Sequence, residues 1–375
     1  MSELRVDTIN EATTDTGTTI SKLTNPNEPF RNLLINGDVK VAQRATSTSS
    51  ITGNGYHTVD RMNSIISSQG TWTQSQSTDV PTGQGFAKSL KMDCTTADAS
   101  PAASDIIRIQ QAIEGQNLQH LKYGTSSAKS TTLSFWVKSN KTGTYVIQLL
   151  NGAVSRQVGK TYTISSADTW EKKTITFPGD TSTALDNDNT AELYVQFCLG
   201  TGSNRSSGTL SSTWKSFLSA DQFAGQTVNL ADSTSNEWYI TGIQLEVGEI
   251  ATDFEHLPFD VQLMRCQRYC QKWDFTASPG FASIGRTLSS NRVDLWFEPK
   301  LEMRAEVDAI SDSLTTSTIY RGDGTRHDGV TQTGTQLTNS SKAAFGVRKT
   351  YSDTIEGDNL VSSQFGGTLI ATCEL

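Results

Sequence analysis

Short runs in which apolar and polar residues alternate recur along most of this chain. In the clearest one, Leu133, Phe135 and Val137 share one parity, and Trp136 falls on the other. Successive side chains of a strand point to opposite faces, so this pattern predicts a half-buried β-strand. Similar segments are NLLINGDVKVAQ, SLKMDC, DIIRIQQAI, GTYVIQLLN, EKKTITF, AELYVQFCLG, QTVNLAD and NEWYITGIQLEVG. No helical pattern separates them, so residues 31–256 are predicted to form a β-sandwich or jelly roll.

One predicted strand contains a change of parity, and the tryptophans differ in their predicted burial. The run from Trp238 to Val247 changes parity at Gly242, which predicts a β-bulge. Trp136, Trp238 and Trp296 lie on strand patterns and are expected in or near the core. Trp72 and Trp214 have polar neighbours, which makes them candidates for exposed stacking platforms at a receptor site. The alternative for these two is an aromatic lid over a sheet edge.

The segment FEHLPFDVQLMRCQRYCQKW differs from its surroundings and predicts a helix over residues 257–273. Pro258 and Asp260 suit a first helical turn. Steps of 4, 3, 4 and 3 residues separate the apolar positions, which is the spacing of a coiled-coil seam. Two interpretations remain open: a seam between copies of the chain, or an amphipathic helix packed on its own sheet. The seam residues would be Phe259, Leu263, Cys266, Cys270 and Trp273.

The two ends of the chain differ from the central region. Residues 274–375 return to strand patterns and predict a smaller C-terminal β-sandwich domain. Residues 1–30 form a polar arm with one strand-like run, LRVDTI. A single strand cannot bury itself, so the arm is expected to pair with another copy or a docking partner. The alternative is a disordered tail.

Composition narrows the class of protein. Hydrophobic residues make up 35% and charged residues 19% of the chain, with a net charge of −8. This balance, without lysine or arginine runs, fits a β protein with much solvated surface and argues against nucleic acid as a partner. Five cysteines predict free thiols rather than a disulfide framework, as expected of a chain made in a cytoplasm. Neither a signal peptide nor an apolar run long enough for membrane insertion is evident.

The sequence predicts neither an enzyme nor a cofactor or metal site. The motifs GxSxG, HExxH and the Walker loop are absent, and no GxGxxG stands between a strand and a helix. The polar stretch YRGDGTRHDGVTQTGT is predicted to be a loop. Its planar and charged groups suit sugar hydroxyls, and a solvated loop without a ligand is the alternative. The receptor-binding candidates in this loop are Tyr320, Arg321, Asp323, Arg326 and His327.

Several blocks together resemble a module common in bacteriophage tail-fibre proteins. NLLINGDVKVAQRAT followed by GYHTVDRM resembles its opening, and the opening SELRVDTINEAT is like the arm of tail fibres from marine and cyanobacterial phages. Residues 132–145, 167–181, 225–273 and 297–304 resemble the rest. Ala45, Met62 and Cys270 depart from the usual pattern. The matched opening positions are Asn36, Gly37, Gln43, Arg44, Tyr56, Asp60 and Arg61.

This resemblance implies a virion protein, assembled in the host cytoplasm as a homotrimer, whose central domain is similar to a carbohydrate-binding jelly roll. Leu4, Val6 and Ile9 of the arm would dock to tail adaptor or nozzle proteins, and the outer domains would bind host-surface polysaccharide. A tailspike-type glycan depolymerase and a head or decoration fibre are the alternatives. The expected protein is therefore all-β: an arm (1–30), a jelly-roll β-sandwich (31–256), a linking helix (257–273) and a smaller β-sandwich (274–375).

Overall fold

The structure is a computed structural model that describes residues 30–152, 155–275, 280–289, 291–321, 326–328, 332–351 and 360–375. The strands of its first part are β1 (Ser47–Ile51), β2 (Asn63–Ser67), β3 (Thr71–Ser77), β4 (Ser89–Thr96), β5 (Ile106–Glu114), β6 (Thr131–Ser139), β7 (Gly143–Asn151), β8 (Arg156–Ile164), β9 (Glu171–Phe177), β10 (Ala191–Thr201), β11 (Lys215–Ser216) and β12 (Glu237–Val247). Single turns of 3-10 helix span Gly115–Asn117, Gln119–Leu121, Ser203–Arg205, Ser219–Asp221 and Leu230–Asp232.

The helix α1 (Phe259–Gln267) follows, and the second part of the chain returns to strands. These strands are β13 (Cys270–Asp274), β14 (Gly280–Ser289), β15 (Arg292–Phe297), β16 (Ala309–Asp312), β17 (Thr315–Arg321), β18 (Arg326–Asp328), β19 (Gln332–Ser340), β20 (Phe345–Tyr351), β21 (Leu360–Gly366) and β22 (Thr368–Thr372).

Two antiparallel six-stranded sheets form the first domain, as predicted. Sheet A has the order β1-β3-β4-β12-β6-β9, and sheet B has the order β11-β8-β7-β10-β5-β2. Their inner faces meet in an aromatic core, where Phe135 of sheet A lies edge-on to Tyr162 and Phe197 of sheet B at 5.2 and 5.3 Å. The alternation of β6 buries Phe135 in this core and turns Trp136 to the outside. The protein is therefore all-β with a jelly-roll type of β-sandwich.

Two further sheets form the second domain. Sheet C has the order β13-β22-β16, and sheet D has the order β18-β17-β21-β14-β15-β20-β19. Their shared core includes Leu295, Phe345 and Leu369, one from each of β15, β20 and β22. The smaller C-terminal β-sandwich is thus confirmed. Among the described residues, no helix is long and apolar enough to cross a membrane.

Two of the predicted strands are not strands. Residues 32–43 (NLLINGDVKVAQ) are buried irregular chain, because the side chain of Asn36 takes over local backbone hydrogen bonding. Its Nδ2 donates to the carbonyls of Val41 and Asp60, and its Oδ1 accepts from the Val41 amide at 3.0 Å. The segment 226–232 (QTVNLAD) instead ends in a 3-10 turn whose cap is Asn229, which accepts from the amide of Ala231.

The helix is shorter than predicted, so residues 259–273 do not form one continuous helical seam. Helix α1 ends at Gln267, and Cys270 and Trp273 lie on β13, where pairing with β22 satisfies their backbone groups. Within the chain, Cys266 and Cys270 are fully buried, and Trp273 lies edge-on to Phe345 at 5.6 Å. Leu263 packs on the small cluster formed by Ile35, Val41, Cys266 and Tyr269. Of the proposed seam, Phe259 alone is largely exposed.

The opening motif of the sandwich joins the two domains. Arg61 is fully buried, pairs with the carboxylate of Glu374, donates to the carbonyl of Ala112 at 2.9 Å and stacks 3.6 Å from the Tyr269 ring centre. Arg44 also pairs with Glu374, at 2.8 Å. Burial by itself lowers the pKa of Arg61, but Glu374, Tyr56 and Tyr269 together outweigh it and the net shift is upward. The domains are therefore held together by buried charge.

Candidate functional site

The outer face of sheet A carries a pocket of about 280 Å³, here called the Trp136 pocket. Strands β6, β9 and β12 form its floor, and two connecting segments, 83–86 and 253–256, form its walls. The lining residues are Gly83, Gln84, Phe86, Ser134, Trp136, Lys172, Gly242, Asp253, Phe254 and His256.

The floor follows directly from strand parity. Trp136 faces outward because its neighbours Phe135 and Val137 fill the core. Lys172 of β9 stands opposite Trp136 in the antiparallel register, and Thr241 of β12 stands on its other side. An indole ring and an ammonium group are thus placed side by side on the outer face.

Gly242 shapes the centre of the pocket. The register of β12 against β6 shifts between Thr241 and Gln244, which confirms the predicted bulge. Gly242 has a positive φ of +62°, and a Cβ there would lie 2.6 Å from Cζ of Phe86. The bare backbone therefore allows the Phe86 ring to lie against the strand.

Three rings from the two wall segments pack against one another. Phe86 lies 5.1 Å from Phe254 and 5.3 Å from His256, and the last two are 4.9 Å apart. Burial among these rings lowers the pKa of His256. The charge of Asp38 raises this pKa and the charge of Lys40 lowers it, and both effects are smaller than that of burial. At neutral pH the imidazole is therefore uncharged and has both a donor and an acceptor nitrogen.

Buried polar residues of β12 hold the second wall in place. The side chain of Glu246 accepts from the amide of Thr252 at 2.8 Å, and Oε1 of Gln244 accepts from the amide of Glu255 at 2.8 Å. Both acceptor side chains are buried, so the segment that carries Asp253 and Phe254 is anchored to the sheet on each side. The pocket is consequently preformed.

A second aromatic group lies on the same face. Trp170 and Tyr239 are 6.1 Å apart, and Nζ of Lys138 lies 4.4 Å from the Tyr239 ring centre. Asp79 accepts from Nε1 of Trp170 at 2.9 Å and pairs with Lys138. Lys138 shares a strand face with Trp136, so the aromatic surface continues along β6 beyond the pocket.

The Trp136 pocket combines two kinds of group that suit a carbohydrate. Aromatic faces pack on the apolar C–H face of a sugar ring, and planar or charged polar groups bind hydroxyls with fixed geometry. Gln84, Lys172, Asp253 and His256 provide such donors and acceptors around the rings. Among the described residues, no group of three or more His, Cys, Asp or Glu is placed to hold a metal ion.

The two tryptophans proposed as exposed platforms are not exposed. Trp72 is fully buried on β3, where it is the inward apolar residue between outward threonines, and its Nε1 donates to Gln69 O at 2.8 Å. Trp214 packs on the sandwich core, edge-on to Tyr123 at 5.7 Å. The sequence predicts Trp136 and Trp296 in or near the core, but Trp136 faces outward and Trp296 is 42% exposed.

The predicted receptor loop is largely a hairpin. Tyr320 and Arg321 lie on β17, and Arg326 and His327 lie on β18, with Tyr320 paired to Arg326. Asp323 lies outside the described residues, as do the side chains of the other four. Leu4, Val6 and Ile9 of the arm also lie outside them. The receptor and docking roles of these residues stay predictions.

Sequence reasoning missed most of the Trp136 pocket. Strand parity places Trp136 and Lys172 on the outer face, and that signal was present in the sequence. Phe86, Phe254 and His256 lie in irregular segments, which have no periodicity that would predict their convergence. They meet only because β4 and β12 are neighbours in sheet A.

Comparison with known proteins gives remote structural similarities. No protein-family model and no curated protein sequence matches the chain. Among solved structures, it is similar to the tailspike protein 4 enzymatically active domain of Bacteriophage CBA120, with 13% identity and a TM-score of 0.30 over 59% of this chain and 22% of that one. The chain thus spans about a fifth of that tailspike domain.

Two further solved structures illustrate the range of the likeness. A sugar binding protein from Bacteroides thetaiotaomicron aligns at 12% identity and a TM-score of 0.33, over 58% of this chain and 99% of that one. The CBM22-1-CBM22-2 tandem domain of Paenibacillus barcinonensis Xyn10C aligns at 9% identity and a TM-score of 0.26, over 92% of this chain and 98% of that one. At this level of similarity, no ligand or activity is carried over to this chain.

Proposed function

We propose that this chain is a bacteriophage tail fibre that binds a host-surface glycan through the Trp136 pocket. Glycan binding is supported by one observation, the composition of the Trp136 pocket. An outward indole and three further rings are surrounded there by Gln84, Lys172 and Asp253. Binding at one such pocket is weak, and several copies on one virion supply avidity.

The virion part of the proposal rests on the sequence blocks that resemble tail fibres. In this proposal, residues 1–30 attach the chain to tail proteins, and the chain assembles as a homotrimer. The two β-sandwiches then project towards the host surface. Removing residues 1–30 should abolish incorporation into virions without changing glycan binding.

We propose a binding role rather than glycan cleavage. Glycoside hydrolysis uses a pair of carboxyl groups about 5–10 Å apart. Among the described residues that line the Trp136 pocket, Asp253 is the single carboxylate. Release of reducing ends from a bound polysaccharide by the purified chain would contradict this part of the proposal.

Glycan binding is tested with the variant Trp136→Ala on an array of bacterial lipopolysaccharide and capsular oligosaccharides. Removing a stacking ring should weaken binding about 5- to 150-fold, since one buried aromatic contact contributes roughly 1–3 kcal/mol. Trp296→Ala is the matched control because Trp296 is an exposed tryptophan on sheet D. Equal binding by wild type and Trp136→Ala would refute the assignment of the pocket.

A further inference from the structure

The outer face of sheet B carries a row of amide side chains that ends in two arginines. Gln196 stands opposite Gln110 on one neighbouring strand and opposite Gln148 on the other. Nε2 of Gln196 donates to Oε1 of Gln110 at 3.1 Å, and that oxygen also accepts from Nε of Arg108 at 3.1 Å. One end of the row is therefore an arginine held by an amide.

At the other end of the row an amide again holds an arginine, and both residues lie outside the strands. Nε2 of Gln222 donates to Oε1 of Gln148 at 3.2 Å, and Oε1 of Gln222 accepts from Nη1 of Arg205 at 3.1 Å. Phe223, next in sequence, is fully buried against sheet B. The segment that presents Arg205 is thus fixed to the sheet.

The two arginines have no carboxylate partner in the part of the chain that the structure describes. Both are half-buried. Burial and, to a smaller extent, the nearby charge of Arg205 together lower the pKa of Arg108 to about 10. The carboxylate of Asp221, next to Gln222 in sequence, pairs with Lys215 instead. Two like charges in a chain of net charge −8 are therefore left uncompensated.

Two buried polar atoms of the row also have no hydrogen-bond partner among the described residues. They are Oε1 of Gln196, an acceptor, and Nε of Arg205, a donor. The ring of Tyr194, two residues before Gln196 on the same strand face, is half-buried beside them. The group thus offers an unused acceptor, unused cationic donors and an aromatic surface.

We propose that Arg108, Arg205, Tyr194 and the Gln110–Gln196 pair form a second binding site, specific for a carboxylate-bearing sugar. The carboxylate accepts from the two guanidiniums, rotation of the buried Gln196 amide brings its Oε1 within reach of a sugar hydroxyl, and the sugar ring packs on Tyr194. A neutral sugar would leave the arginines unpaired, and an inorganic anion would leave the amide oxygen unpaired. The site lies on the opposite sheet from the Trp136 pocket and does not depend on it.

The test is calorimetric titration of the full chain at about 50 mM salt, where charge effects are little screened. The probes are trigalacturonate, trimannuronate and N-acetylneuraminate, together with the methyl ester of each and inorganic sulfate. At least one acid should bind about tenfold more tightly than its ester. Arg108→Gln and Arg205→Gln should each remove that preference without changing the thermal midpoint by more than about 3 °C.

The controls separate this site from a general charge effect and from the Trp136 pocket. Arg292→Gln removes an exposed arginine of β15 and should leave the acid preference intact, as should Trp136→Ala. Acid and ester binding equally for all three sugars, or an acid preference that survives both arginine variants, would overturn the proposal. Sulfate binding as tightly as the best acid would reassign the site to simple anions and overturn the sugar assignment.

Discussion

At the scale of single residues, Arg61 forms a buried ion pair with Glu374 that links the two domains. Its guanidinium is enclosed by Tyr269, Glu374 and the carbonyl of Ala112. Replacing it with methionine keeps an unbranched apolar stem but removes the guanidinium, which leaves the Glu374 carboxylate with Arg44 as its remaining partner. Breaking a buried ion pair in this way costs about 3–5 kcal/mol.

We therefore expect Arg61→Met to lower the free energy of unfolding by about 3 kcal/mol or more in urea denaturation. Lys272→Met is the control, because Lys272 pairs with the largely exposed Asp274 at 3.3 Å and should cost about 1 kcal/mol or less. Similar losses in the two variants would show that burial does not set the strength of the Arg61 pair.

His256 gives a pH dependence of defined sign. Its pKa is lowered in the folded protein, mainly by burial, from an ordinary value of 6.5. Between the folded and unfolded pKa values, the unfolded state binds more protons, so the contribution of His256 to stability is complete above about pH 6.5 and falls on acidification. The difference in unfolding free energy between wild type and His256→Gln should thus be larger at about pH 7.5 than at about pH 5.5. A difference that grows on acidification would contradict this.

At the scale of elements, local patterns in the sequence predict some features of the strands correctly and fail for others. Parity alone predicted the inward face of β6 and the bulge in β12, because both depend on neighbours along the chain. It failed at residues 32–43, where Asn36 satisfies the backbone with its side chain, and over 270–273, where pairing with β22 replaces helix. These outcomes depend on partners distant in sequence, which local periodicity does not encode.

The bulge at Gly242 links element geometry to the pocket. Gly242→Ala would place a methyl group 2.6 Å from Cζ of Phe86, on a backbone with φ +62°. We expect a loss of stability about 1–3 kcal/mol beyond the strain of a left-handed alanine. Gly83→Ala is matched, since its φ is +74° and nothing lies within 4 Å of its added Cβ. Thermal unfolding of both variants checks this, and equal losses would remove the steric argument.

At the scale of the whole molecule, the proposed trimer needs a surface other than the seam that the sequence suggested. The helix leaves Phe259 and Met264 56% and 51% exposed. We propose that these side chains contact neighbouring copies. Light scattering should give a mass near three times 40.7 kDa for the wild type and near 40.7 kDa for Phe259→Glu/Met264→Glu.

Leu218→Glu is the control for the trimer prediction. Leu218 is 54% exposed on the segment before Ser219–Asp221 of the first domain, so it offers an apolar group of similar exposure elsewhere. It should leave the mass unchanged. A wild-type mass near 40.7 kDa would contradict the trimer, and a trimeric double variant would contradict this surface.

The pairing of β13 with β22 has a consequence for how such a protein diversifies. Asp274 stands directly opposite Thr368, so the chain leaves sheet C and returns to it on adjacent strands, about 5 Å apart. Everything between these two positions behaves as an insertion whose ends already meet. Recombination or engineering can therefore exchange that stretch as a cassette, provided that the incoming piece supplies a strand in place of β16 and apolar residues in place of Leu295 and Phe345, which share a core with Leu369. The sandwich and its buried charges would then serve as a constant platform for interchangeable tips.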